Sequence, residues 1–163
     1  MDELRFSCVR LAVFDVDGVL TDGSFLLDED GRESKRFHTQ DGFGLRQLQS
    51  AGVEVAIITG RRSGAVSSRM RELDITHVFQ GSREKLSVLA KLADSLGIAF
   101  AETAFVGDDI PDMKVMQAVG LPIAVANAVA PVRNIAAYVT RASGGHGAVR
   151  EICDLLIAAR STS

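Results

Sequence analysis

The stretch AVFDVDGVLTDG, Ala12 to Gly23, decides how the chain is read. It begins as an apolar run and then sets carboxylates at Asp15, Asp17 and Asp22 beside glycines. A buried strand that ends in acids delivers them to the edge of a sheet. Asp15 and Asp17 lie two apart, so in an extended chain they share a face, and the turn begun by Asp17-Gly18 can rotate Asp17 away while leaving its carbonyl near Asp15. One carboxylate can then attack while the other handles a proton. Alone the pair is open to a plainer reading, because acids at strand ends also cap the turn that follows.

Two further segments share the pattern. VEVAIITG (Val53 to Gly60) and TAFVGDD (Thr103 to Asp109) read as core strands ending in polar residues, as does RLAVFD (Arg10 to Asp15). Between them the spacing predicts helices: Leu45 and Leu48 lie three apart, and Leu86, Leu89, Ala93 and Leu96 align before Gly97. Strands alternating with helices predict an α/β, Rossmann-like, doubly wound and mostly parallel sheet, with ligands beyond the strands' carboxyl ends. A final helix presents Val149, Ile152, Leu155, Leu156 and Ala159, after a strand end at Tyr138 to Thr140 and a Gly-rich loop.

GSFLLDEDGRESKRF, residues 23–37, fits this alternation poorly and reads as a β-hairpin insertion, with DEDG turning the chain between Phe25-Leu26-Leu27 and Lys35-Arg36-Phe37. A hairpin too small for its own core is expected to bury its apolar side against another subunit; a solvent-exposed arm is the alternative.

Composition bounds the rest. With 163 residues, 47% of them hydrophobic, one domain over residues 1–163 is expected. A formal charge of -3 with no long single-sign runs argues against a nucleic-acid partner, and the lack of an apolar stretch of about 18 residues argues against a membrane span. With no signal-like segment, the expected location is cytoplasmic. Cys8 and Cys153 lack metal-ligand spacing and are expected as buried thiols.

GDDIPD, Gly107 to Asp112, supplies a second acidic cluster after another strand, at the same sheet edge as Asp15. Two carboxylate clusters held together repel unless a cation intervenes, and hard oxygen ligands suit Mg²⁺. Thr59, after the second strand, and Lys85, near a helix start, add a hydroxyl and a positive charge for phosphoryl oxygens. Singly, Thr59 is an ordinary turn residue and Lys85 a solvated one. Together with both acidic clusters they meet the requirements of a phosphoryl-transfer site.

DVDGVLTDG, IITGR, Lys85 and GDDIPD resemble the four motifs of the haloacid-dehalogenase superfamily of aspartyl phosphatases. ESKRFHTQDGFGLRQL, AIITGRRSGAVSSR, ITHVFQG, FVGDDIPDMKVMQAVGLPIAVANA and YVTRASGGHGAVREICDLL extend the resemblance, over roughly residues 9 to 159, to its capless branch of 3-deoxy-D-manno-octulosonate 8-phosphate phosphatases. That resemblance implies no large cap domain and Mg²⁺-dependent hydrolysis of a phosphorylated 2-keto-3-deoxy sugar acid in lipopolysaccharide precursor synthesis. It implies Asp15 as nucleophile and Asp17 as acid and base, with Thr59 and Lys85 on the phosphoryl oxygens. Asp15, the Asp17 carbonyl and Asp108 are the implied metal ligands, with Asp109 and Asp112 ordering the metal surroundings. Lys35, Arg36, Arg61, Arg62, Arg69 and Arg150 are candidates for the substrate, or else surface charges. The hairpin is implied to build a homotetramer. Gly144, Gly145 and Arg150 resemble the branch's carboxyl-terminal gate, and Asp41-Gly42 is expected to line the entrance or fix the helix start. His38 and His77 are expected to pack or turn. His146 and Asn127 depart from the branch, which often has Arg and Asp there.

Three alternatives stay open: a phosphatase for a nine-carbon keto-deoxy acid 9-phosphate, a phosphatase-like assembly module, and a two-component receiver domain. Arg61 after the TG, where the nine-carbon branch tends to have Glu, favours the eight-carbon substrate. A receiver usually places paired acids before its phosphoacceptor, whereas here the DxD comes first.

Overall fold

The computed structural model describes residues 3–161. In chain order the elements are α1 (Glu3–Ser7), β1 (Leu11–Phe14), β2 (Leu26–Leu27), β3 (Glu33–Ser34), α2 (Thr39–Ser50), β4 (Glu54–Ile58), α3 (Gly64–Glu72) and β5 (His77–Phe79). They continue with α4 (Lys85–Leu96), β6 (Thr103–Gly107), α5 (Met113–Met116), β7 (Leu121–Ala124), α6 (Ala130–Ile135), β8 (Tyr138–Val139) and α7 (Ala148–Ser161).

Six strands form one parallel sheet in the order β5-β4-β1-β6-β7-β8. The chain leaves β1 toward β4 and β5, returns to the other side of β1 as β6, and continues outward to β7 and β8. Successive connections therefore depart in opposite directions from the β1–β6 crevice, which is where such sheets open a ligand site. The register aligns Phe14 with Ile57 and Val106, so the three central strands end together. All four residues of β1 are fully buried, as a central strand covered on both faces requires.

The doubly wound sheet and the absence of a large cap domain among the described residues agree with the expectation. Leu45 and Leu48 of α2 are buried and α2 packs on α7, whose Val149, Ile152, Cys153 and Leu156 form the buried stripe. In α4, Leu89 and Ala93 are buried, whereas Leu86 and Leu96 are half-buried; Leu92 completes the inward face. Leu155 and Ala159 of α7 lie at the margin of the core.

The hairpin forms with one difference. Its second arm pairs at Glu33–Ser34, opposite Leu27 and Leu26, rather than at Lys35 to Phe37. Asp28 closes the turn early: its Oδ1 accepts from Asp30 N and Arg32 N, which moves the return point forward. Cys8 is a second correction. It is exposed, because α1 ends there and turns Phe6 and Val9 inward instead; Cys153 is buried, and both are free. No helix among the described residues is long and apolar enough to cross a membrane.

Candidate active site

Asp15 directly follows β1. Its backbone N–H donates to Val106 O at 3.0 Å, so the residue is still held in the ladder when its side chain reaches the edge. The chain then curls, with Val19, Leu20 and Thr21 N–H groups all donating to Val16 O. Gly18 makes this curl fit: its φ is +88°, and a Cβ there would stand 1.9 Å from Asp108 Oδ2. The turn bearing Asp17 thus lies directly against the acidic segment that follows β6.

Thr59, buried at the end of β4, is fixed by its N–H to Phe79 O at 2.9 Å and its carbonyl to Ser82 N at 3.0 Å. Lys85 opens α4 and is almost wholly buried, with Nζ 2.7 Å from Asp112 Oδ1 and 3.0 Å from Asp15 Oδ1. Asp112 Oδ2 accepts from Asp108 N at 3.0 Å and Asp109 N at 3.4 Å, so that carboxylate is committed to Lys85 on one oxygen and to the backbone on the other. Asp109 is exposed and its Oδ1 accepts from Ile110 N, starting the short turn that carries Asp112. A Gly-rich loop closes the other side. Asn127 Nδ2 donates to Gly18 O at 3.0 Å while its Oδ1 accepts from Gly144 N at 2.6 Å, and Gly145 N donates to Val19 O. Only an amide both donates and accepts in this way; a carboxylate would face the Gly18 carbonyl with a like charge.

Asp15, Asp108 and Asp112 each offer an oxygen, all within 4.8 Å of one another. Burial, followed by the charge of Asp112, pushes Asp15 up to about 6 despite Lys85. Burial and the charges of Asp15 and Asp112 push Asp108 up to about 7. Burial opposes the charge on Lys85, but Asp15 and Asp112 outweigh it and raise the ammonium above its usual range. Three carboxylates around one ammonium carry an excess of negative charge on oxygen donors alone, the donor set a hard divalent cation fits.

These side chains line a cleft of about 320 Å³, together with Asp17, Gly23, Gly60, Arg61, Asp109 and Pro111. A larger groove of about 880 Å³ lies beside the edge strand β5, lined by Met70, Ile75, Val78 and Phe79, and holds none of this chemistry. Of the basic candidates, Arg61 lines the cleft, and Lys35 Nζ donates to Asp17 Oδ1. The others point elsewhere. Arg36 is exposed and pairs with Asp22, Arg62 lies against Gly81 in the larger groove, and Arg69 lies over Gly42 and pairs with Glu72. Arg150 pairs with Asp154 and stacks on Phe43. Asp41 fixes a helix start, though of α7 rather than α2: its Oδ1 accepts from Arg150 N at 2.8 Å. His77 faces Glu54 across β5 and β4 at 3.6 Å, and His38 precedes α2. Sequence reasoning missed Glu33, which accepts from Arg61 at 2.6 Å; the signal was its spacing of two from Lys35 on an extended arm.

An acidic cleft with a buried lysine, set at the β1–β6 crevice of a doubly wound sheet, marks the haloacid dehalogenase-like hydrolases, and the family model of that description matches residues 75–152. The chain is 47% identical over 152 residues, 93% of its length and 81% of the relative, to the 3-deoxy-D-manno-octulosonate 8-phosphate phosphatase KdsC of Escherichia coli K12. Within that hydrolase class, the chain belongs to the family of 3-deoxy-D-manno-octulosonate 8-phosphate phosphatases. Among solved structures, a probable YrbI family phosphatase from Pseudomonas syringae pv. phaseolicola matches with a TM-score of 0.95 and 49% identity over 97% of this chain and 90% of that one. The Moraxella catarrhalis 3-deoxy-D-manno-octulosonate 8-phosphate phosphatase, solved with magnesium, phosphate and the sugar acid, matches with a TM-score of 0.96 and 41% identity over 98% and 92% of the two chains.

Proposed function

We propose that the chain is a phosphoric monoester hydrolase that converts 3-deoxy-D-manno-octulosonate 8-phosphate to the free sugar acid and phosphate, a step in lipopolysaccharide precursor synthesis. The observation that carries this reading is the trio Asp15, Asp108 and Asp112, within 4.8 Å of one another at the carboxyl edge of the sheet, with the Lys85 ammonium on Asp15 and Asp112.

Asp15 is the nucleophile. Its carboxylate oxygen bonds to phosphorus as the ester oxygen leaves, giving an aspartyl-phosphate. Asp17 gives its proton to the departing sugar oxygen and then takes one from the water that cleaves the acyl phosphate, so one side chain serves both half-reactions. Thr59 and Lys85 hold the phosphoryl oxygens. Lys85 also offsets the repulsion between an anionic nucleophile and an anionic ester, which is otherwise the main barrier to their approach. Asp15, the Asp17 carbonyl and Asp108 would hold Mg²⁺, with Asp109 and Asp112 ordering its surroundings. When bound, the ion withdraws charge from the phosphoryl oxygens and from the carboxylate cluster.

One domain, residues 1–163, performs this chemistry in the cytoplasm, where two free thiols are at home. The hairpin joins the chains as a homotetramer, supported by the exposure of Leu26 and Leu27, 76% and 60%.

Release of inorganic phosphate from 3-deoxy-D-manno-octulosonate 8-phosphate and from the nine-carbon keto-deoxy acid 9-phosphate, with Mg²⁺ and with chelator, tests the reading, Asp15→Asn serving as control. Selective, Mg²⁺-dependent release from the former is expected. Preference for the latter overturns the substrate and keeps the chemistry; release from neither by folded, metal-loaded protein overturns both.

A further inference from the structure

Beside the cleft, four charged side chains and one ring form a closed box. Lys35 Nζ donates to Asp17 Oδ1 and lies 3.4 Å from Glu33 Oε1, and none of its side chain reaches solvent. Arg61 Nη2 donates to Glu33 Oε2 at 2.6 Å while its Nε stands 3.8 Å from Asp17 Oδ2. Phe25 covers both cations, with its ring centroid 4.1 Å from Arg61 Cζ and 5.3 Å from Lys35 Nζ. Two cations face two carboxylates, so the box is neutral.

A neutral box with a buried ammonium does not take up a third anion without releasing one of its own. Glu33 is the firmly held member, on β3 in the hairpin ladder and in a short contact with Arg61. Asp17 is the member that lines the cleft, held through one oxygen by Lys35 and only distantly by Arg61. It sits on the turn after β1, its side chain is 23% exposed, and its second oxygen is the one 3.8 Å from Arg61. Arg61 also lines the cleft, so an anion entering beyond the phosphate position meets the box directly.

We propose that Lys35 and Arg61 are positioning residues that hold the Asp17 side chain at the hairpin until an anionic group of the substrate, remote from its phosphate, takes its place. This rests on the reading of Asp17 as the acid and base of the reaction. A carboxylate on the ester then does more than bind: it frees Asp17 to turn toward the ester oxygen. An ester without that carboxylate fills the phosphate position and leaves Asp17 held, so selectivity resides in kcat and not only in KM.

The test compares two phosphate monoesters of equal length, one ending in a carboxylate and one in its primary amide, on wild type, Lys35→Met and Glu33→Gln with Mg²⁺ present. Wild type is expected to turn the carboxylate ester over with a kcat about tenfold or more above the amide. Lys35→Met raises the amide kcat by about threefold or more; Glu33→Gln leaves both cations to Asp17 and lowers it by a similar factor. If Lys35 only binds the substrate carboxylate, Lys35→Met raises KM for the carboxylate ester and leaves the amide kcat unmoved. If it only anchors the hairpin, kcat falls for both esters. Either result overturns the proposal. Glu33→Gln removes charge without volume and carries its sign independently, so an unchanged or raised amide kcat there overturns it too. Wild type that releases phosphate from neither ester nor from the sugar acid phosphates overturns the phosphatase reading itself, a result distinct from a wrong kcat ratio.

Discussion

Lys85 is the residue on which the electrostatics of the site turn, since it stands within 3.0 Å of both Asp15 and Asp112 in a nearly closed environment. Lys85→Met leaves both carboxylates unopposed and removes a donor from the phosphoryl oxygens, so turnover is expected to fall by about 10²- to 10³-fold or more, measured as kcat with saturating Mg²⁺. The same crowding makes a prediction about the protein in chelator. Asp15 and Asp108, raised to about 6 and about 7, hold protons more tightly folded than unfolded. Their contribution to stability is therefore fully present below the usual carboxylate value of 3.8 and lost as pH rises through about 6 and about 7. Glu33 and Glu151, held below their usual 4.5, titrate outside that window. Thermal melts of the metal-free protein should rise in midpoint on acidification from about pH 8 to about pH 5, and Asp108→Asn should flatten the rise. A wild-type midpoint that stays level across this range would remove the basis for treating the cluster as charge-frustrated. Both acids were legible in the sequence because they stand at strand ends, where an apolar run stops. The directions of Arg62, Arg69 and Arg150 were not, because a flexible side chain chooses its partner from tertiary neighbours such as Gly81, Gly42 and Phe43, which no local pattern names.

At the scale of elements, legibility follows length and burial. α2 and α4 repeat apolar residues over twelve positions each, and β1, β4 and β6 are apolar runs buried on both faces, so periodicity and contrast mark them. β5, α5 and α6 are three to six residues long and too short for a period, and the hairpin arms face solvent, so nothing in their hydrophobicity fixed the register. The link between β8 and α7 was read as a Gly-rich loop, but nothing in its pattern named the residue that holds it over the Asp17 turn. Glu151, in the first turn of α7, organises it: its carboxylate accepts from Tyr138 Oη at 2.7 Å and from the N–H groups of Arg141 and Ala142. Tyr138 in turn meets the Phe6 ring edge-on, tying α1 to the same junction. Glu151→Gln keeps the shape but turns an acceptor into a donor that faces N–H groups, at an expected cost of about 1–3 kcal/mol in urea denaturation at neutral pH. Burial opposes the charge of Glu151, yet these donors hold its carboxyl below the usual value of 4.5. The stability it contributes is present above that value and lost as pH falls through its lower folded one, so the gap between wild type and variant should narrow in acid. A gap independent of pH would assign the loss to packing instead.

For the whole molecule, the decisive imbalance is between a closed sheet-and-helix body and an uncovered hairpin. The apolar residues of β1, β4 and β6 are buried and the helices turn their apolar stripes onto them, whereas Leu26 and Leu27 stand 76% and 60% exposed on a two-residue ladder that cannot make a core of its own. The hairpin is bound to the site through Lys35 and Glu33, while Leu26 and Leu27, adjacent on β2 and therefore on opposite faces of the ladder, both remain exposed. In the homotetramer proposed above, a neighbouring copy covers these leucines. Changing Leu26 and Leu27 together to Ser removes apolar contact without touching the Lys35, Glu33 and Arg61 contacts. Sedimentation velocity should then show the assembly shifting to monomer, at about 1.5–3 kcal/mol per leucine withdrawn from burial. The helical and sheet content should stay that of wild type, because neither leucine belongs to the core of its own chain. An unchanged sedimentation coefficient would place the contact elsewhere on the molecule. If instead the monomer forms and Mg²⁺-dependent phosphate release falls with it, the neighbouring chain contributes to each cleft, since the box that holds Asp17 lies at the root of the same hairpin.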